Sequence, residues 1–166
     1  MKRDVMRTTT SERWSAARPN VLVVACSDGR LQEATDAFLN QKLDIHRYDR
    51  FYIPGGAGAL TASGYDFARA QQMRRECRYL IDLHRVGRVV LLMHGPAEGG
   101  PPEAACADYR RKLPRASMEQ LRGQQVQDAQ ELLRQRAKWA GTASVVVYRC
   151  EIGAEGPISF VDLASA

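Results

Sequence analysis

The stretch Val21-Leu22-Val23-Val24-Ala25-Cys26-Ser27-Asp28-Gly29-Arg30 decides how this chain is read. Its first five residues are a continuous apolar run rich in β-branched side chains. Such a run is the mark of a strand buried on both faces, as in a parallel sheet, and not of a half-exposed strand that alternates. Its second half sets a thiol, a carboxylate and a guanidinium at alternate positions. These groups leave the carboxyl end of the strand, where open α/β sheets gather their ligands.

Working outward, strand one starts near Asn20, after a polar, basic segment (Met1–Pro19) that reads as an arm or short helix anchored by Trp14. Downstream, Leu31, Ala34 and Phe38 recur at helical spacing. Arg50 to Pro54 reads as strand two, closed by a proline that cannot donate to a ladder. Gly55-Gly56-Ala57-Gly58-Ala59 follows without dinucleotide-loop spacing, so its glycines imply a backbone passing close to another backbone. Gly64 to Val86 carries an apolar stripe (Ala70, Met73, Cys77, Leu80, Ile81, His84) and predicts a long helix stopped by Gly87. On that stripe His84 reads as a satisfied core-edge group, while His46 has no evident partner. Arg88 to His94 is strand three, Gly95 to Pro102 a loop, and Glu103 to Lys112 a short helix. Ser117 with Gln120 forms a capping-box pattern that opens a helix from Met118 to Trp139. Ala143 to Cys150 is strand four, and Ile158 to Val161 an edge strand. The expected fold class is therefore α/β: one domain over residues 20–166 with a mostly parallel sheet, order 2-1-3-4 plus a possible edge strand, and helices on both faces.

Composition narrows the function. The 166 residues carry a net charge of +5, but the basic clusters Arg74-Arg75 and Arg110-Arg111-Lys112 have acidic residues close by. Neither a sustained basic stripe nor interleaved aromatics is present, so nucleic acid is not an expected partner. No apolar run approaches the roughly 20 residues needed to span a bilayer, and the first residues lack a signal-peptide core. A cytoplasmic location is the resulting expectation. The four cysteines (26, 77, 106 and 150) form no C-x-x-C pair. Cys77 and Cys150 read as core, leaving Cys26 where chemistry is expected.

Strands one and three end in Cys26 and His94. As neighbours about 4.8 Å apart they would deliver a thiolate and an imidazole to one crevice, a donor pair suited to zinc. A buried small hydrophobe and a loop anchor are the plain alternatives. Asp28 and Arg30 add a carboxylate that a bidentate guanidinium would keep ionised and fixed in direction, or else an ordinary loop salt bridge. A cysteine-phosphatase loop is excluded, because it needs five residues between Cys and Arg and only three separate Cys26 from Arg30. A thiol hydrolase using Cys26 with His94 as base is a further option.

Cys26-x-Asp28-x-Arg30, Ala57-Gly58, the strand ending in His94-Gly95 and the closing Val145–Tyr148 to Ile152-Gly153 together resemble the β-class carbonic anhydrases over nearly the whole chain. The resemblance implies zinc held by Cys26 and His94, with Asp28 and Arg30 as the catalytic dyad that orients water, or with Asp28 itself tied onto the metal. It implies reversible hydration of CO2 to bicarbonate and an assembly of two or more identical chains. The chain departs from the family pattern in three places: Gly55-Gly56 stand where the family has R-N before A-G, Gly95 to Pro102 replace its H-x-x-C-G helix start, and the second thiolate is missing. The second thiolate should stand three residues after the histidine, where this chain has Ala97. Three outcomes are open: Asp28 as permanent third ligand, giving a Cys26, His94, Asp28 set; Glu98 or Cys106 brought in from the altered segment; or a metal-free, non-catalytic binding or regulatory module on the same fold.

Overall fold

A computed structural model describes residues 8–64 and 66–164. Its five-stranded sheet has the order β2-β1-β3-β4-β5. Strands β1 (Val21–Cys26), β2 (Asp49–Ile53), β3 (Arg88–Pro96) and β4 (Ser144–Ile152) run parallel, and β5 (Ile158–Asp162) lies antiparallel on the β4 edge. The expected order and edge strand are both present.

The alternation along β1 and β3 divides the core. Leu22, Val24, Val89, Leu91 and Met93 pack with Cys77 and Ile81 of α2 (Phe67–His84), with Ala129 and Leu132 of a later helix, and with Trp139. Val23, Ala25, Val90 and Leu92 pack with Leu39 and Phe38 of α1 (Gln32–Leu43) on the other face. Burial on both faces is why these strands read as unbroken apolar runs.

The remaining helices are α3 (Ala107–Lys112), α4 (Met118–Arg134) and α5 (Arg136–Trp139). Ser117 caps α4 as expected. Its hydroxyl accepts from the Gln120 amide at 3.1 Å, while the Gln120 side chain accepts from the Ser117 amide at 2.8 Å. Ser117→Ala is expected to cost about 1 kcal/mol in urea unfolding.

Several boundaries depart from expectation. The helix ahead of β3 ends at His84, and Arg85, not Gly87, takes the left-handed turn at φ 55°. Gly87 instead presses against Asn20, to whose side chain its amide donates at 2.6 Å. The single helix expected over 118–139 breaks at Gln135, so that Trp139 turns into the core and its indole donates to the Leu132 carbonyl at 3.1 Å. Strand β3 runs on through Gly95 and Pro96, paired with Glu151 and Ile152, where a loop was expected. Buried Arg149 secures this extension by donating to the Pro96 carbonyl at 2.8 Å. His84 meets Asp49 at 2.7 Å, a satisfied histidine at the core edge. His46, which had no evident partner, lies 2.9 Å from Asp44. Of the N-terminal arm, residues 8–19 form no helix or strand and Trp14 is 89% exposed, while residues 1–7 lie outside the described residues. Among the described residues no helix is long and apolar enough to cross a membrane.

Candidate metal centre

The crevice follows from the sheet register. Pairing between β1 and β3 stops at Val24 and Leu91, whereas β3 stays paired with β4 as far as Pro96 and Ile152. Beyond Val24 the two central strands separate, at the point where the strand order reverses direction. Cys26, Ser27, Asp28 and Arg30 border the resulting cleft of about 610 Å³ on one side, and His94, Cys106 and Asp108 on the other.

Cys26, His94 and Cys106 converge there, with one ligand atom from each lying within 4.8 Å of the other two. It is the one such trio of metal-competent groups among the described residues. Cys26 and His94 come together as the strand ends imply. The third member is Cys106, and Asp28 stands outside the trio. Neither Glu98 nor Ala97 borders this cleft. Both line a separate cavity with Met118, Glu119 and Arg122, because the chain turns away after Pro96. There Ala97 donates to the Ile152 carbonyl at 2.8 Å.

The donor set and its surroundings fit zinc. Two thiolates and one imidazole make a three-ligand catalytic set with a fourth position open. The His94 Nδ1 donates to the Ala104 carbonyl at 3.2 Å, which fixes the proton on that nitrogen and presents a bare lone pair at Nε2. That Nε2 is buried and has no hydrogen-bond partner. An unpartnered buried acceptor carries a desolvation cost that a bound metal removes. Amide hydrogens also face the sulfurs, from Gly55 toward Cys26 and from Asp108 and Tyr109 toward Cys106. A hydrogen bond from the Cys106 thiol, opposed by burial, holds Cys26 below the ordinary thiol range. The same contact, together with burial, pushes Cys106 up.

Asp28 takes the place expected of a fixed carboxylate. Arg30 grips it through Nε at 3.0 Å and a terminal nitrogen at 2.6 Å, and the Arg30 amide adds a third bond at 3.1 Å. These bonds lower its pKa to about 2.

Cys106 is held from behind by a buried polar network that the sequence did not announce. Tyr109 donates to Asp128 at 2.6 Å, as do Ser63 at 2.7 Å and Gln124 at 2.9 Å. Lys112 reaches the Gly58 carbonyl at 2.5 Å and Thr61 at 3.1 Å. The network fastens α3 to the turn Gly56–Leu60 and to α4. Asp128→Ala strands the Tyr109 hydroxyl and is expected to cost about 3 kcal/mol in urea unfolding. The one available signal was Asp128 itself, a carboxylate on the apolar side of its helix.

Neither a scan of protein-family models nor a search of curated proteins finds a match to this chain. Among solved structures, the β-carbonic anhydrase CafA of the fungal pathogen Aspergillus fumigatus is similar over 88% of this chain and 76% of its own, at 17% identity and a TM-score of 0.42. A carbon disulfide hydrolase in its apo form is similar over 81% of this chain and 75% of its own, at 13% identity and a TM-score of 0.45. The β-carbonic anhydrase isoform I of the protozoan Trichomonas vaginalis covers 93% of this chain and 88% of its own, at 12% identity and a TM-score of 0.40.

Proposed function

We propose that this chain is a β-carbonic-anhydrase-like zinc protein, with Cys26, His94 and Cys106 as ligands and reversible hydration of CO2 to bicarbonate as its activity. The observation that carries the proposal is the convergence of those three donors within 4.8 Å around an unpartnered buried imidazole nitrogen. The Cys26-x-Asp28-x-Arg30 pattern supports the choice of reaction. Zinc in a three-ligand site lowers the pKa of water at its open position to about 7 and so supplies a nucleophile at neutral pH.

The chain's own groups do the rest. Cys26 and Cys106 supply the anionic donors. His94, oriented by the Ala104 carbonyl, supplies the neutral one. Asp28 is free to act on water because Cys106 completes the ligand set. Its carboxylate, immobilised by Arg30, accepts a hydrogen bond from water in the cleft and fixes that water's orientation toward a linear electrophile. The assembly implied by the resemblance, a homodimer or larger, belongs to the same proposal and is read by light scattering.

Stopped-flow CO2 hydration on protein carrying one zinc per chain tests the activity. A background rate at full zinc occupancy would leave a non-catalytic zinc module instead. Asp28→Asn separates the two roles of that residue. With Cys106 as third ligand, zinc content stays at one per chain while kcat/KM falls about 10- to 100-fold. Loss of zinc in the same variant would return Asp28 to the ligand set.

A further inference from the structure

We propose that Cys26 and Cys106 form a peroxide-responsive dithiol, a modification site whose closure to a disulfide dismantles the metal centre. The bridge itself stands on geometry, and its consequence for zinc rests on the function proposed above. The two sulfurs lie within 4.8 Å of each other. Forming a bond of about 2.05 Å requires only a small closing movement.

The two thiols differ in access. Cys26 is half-buried and borders the open cleft, so a small oxidant reaches it first. Cys106 is 2% exposed and stands behind it, placed to resolve the first product before a second oxidant arrives. Cys77 is buried in the core against α2's partners, and Cys150, the register partner of His94 on β4, is buried and stands outside the trio. Cys106 also sits where the chain has no regular pairing, between the turn Pro102–Ala104 and the start of α3.

The chemistry balances with hydrogen peroxide as oxidant. The Cys26 sulfur attacks one peroxide oxygen, the O–O bond breaks, and one water leaves as Cys26 becomes a sulfenic acid. The Cys106 sulfur then attacks the Cys26 sulfur, the S–O bond breaks, and a second water leaves. Two thiols and one peroxide give one disulfide and two waters. Starting from two thiolates, the exchange draws two protons from solvent. Two of the three donors are thereby withdrawn and His94 alone remains, which does not hold zinc.

The test treats the full chain, purified without chelator and with its zinc measured, with dilute hydrogen peroxide. Expected are an intact mass lowered by two hydrogens, a Cys26–Cys106 linked peptide, one zinc released per bridge, and recovery of both thiols with a dithiol reductant. Cys26→Ser and Cys106→Ser should each form no bridge, and Cys106→Ser should accumulate oxygen on Cys26. Oxygen added to wild-type Cys26 without a bridge overturns the proposal, as does a bridge formed with zinc retained. A chain purified without zinc that still forms the bridge upholds the dithiol and overturns the zinc function instead.

Discussion

Cys106→Ser is expected to leave the chain without stoichiometric zinc. The serine hydroxyl keeps the shape of the side chain but does not ionise at neutral pH, so one of two anionic donors is lost. Changes outside the ligand shell already cost about 10- to 100-fold in metal affinity, and loss of a ligand should exceed that range. Zinc per chain after purification and a competition titration with a chromophoric chelator both report the change. A matched variant, Ala97→Cys, restores a cysteine at the position where the resemblance expects one. It is expected to add nothing, alone or with Cys106→Ser, because residue 97 lines the cavity beside Met118 and Arg122. Recovery of zinc in the double variant would show that the chain after His94 reaches the cleft, and would remove Cys106 from the ligand set.

Gly56→Ala is expected to be among the most damaging small substitutions in the described chain. Gly56 has φ +53°, and a Cβ there would stand 2.6 Å from the Cys26 amide nitrogen and 2.7 Å from the Leu92 carbonyl oxygen. Both obstacles are backbone of central strands, so neither can move aside without disturbing the sheet. The backbone conformation and the overlap each cost about 1–3 kcal/mol, for an expected loss of about 4 kcal/mol in urea unfolding. The nearby Gly29 has open space around its Cβ position and no positive φ. Gly29→Ala therefore serves as the control, and a similar loss in both variants would refute the backbone-contact argument.

The architecture was largely legible because it is written in local periodicity. Unbroken apolar runs at β1 and β3, a 3–4 stripe on α2 and the Ser117 capping box each follow from short-range rules that the tertiary fold reinforces. The glycine cluster at 55–58 was legible in part: Gly56 passes close to the backbone of β1 and β3 as expected, whereas Gly55 and Gly58 make room for the Asp108 side chain and the Tyr109 ring. Boundaries were less legible. Arg85 in place of Gly87 as the helix stop, and the break at Gln135, answer to what the next element packs against.

For the site, the sequence alone determined which strand ends carry Cys26 and His94, and that Asp28 and Arg30 sit two residues apart in a local clasp. The third donor was decided in three dimensions. Strand alternation continued past Val24 and Leu92 would place Cys26 and His94 on opposite faces of the sheet. They meet because the β1–β3 ladder ends first and the strands part. Cys106 is twelve residues beyond His94, across a segment with no repeating pattern to read. It enters the cleft because the Tyr109, Lys112 and Asp128 network clamps α3 against the glycine turn, and that clamp is a balance of long-range buried hydrogen bonds which no local sequence rule encodes.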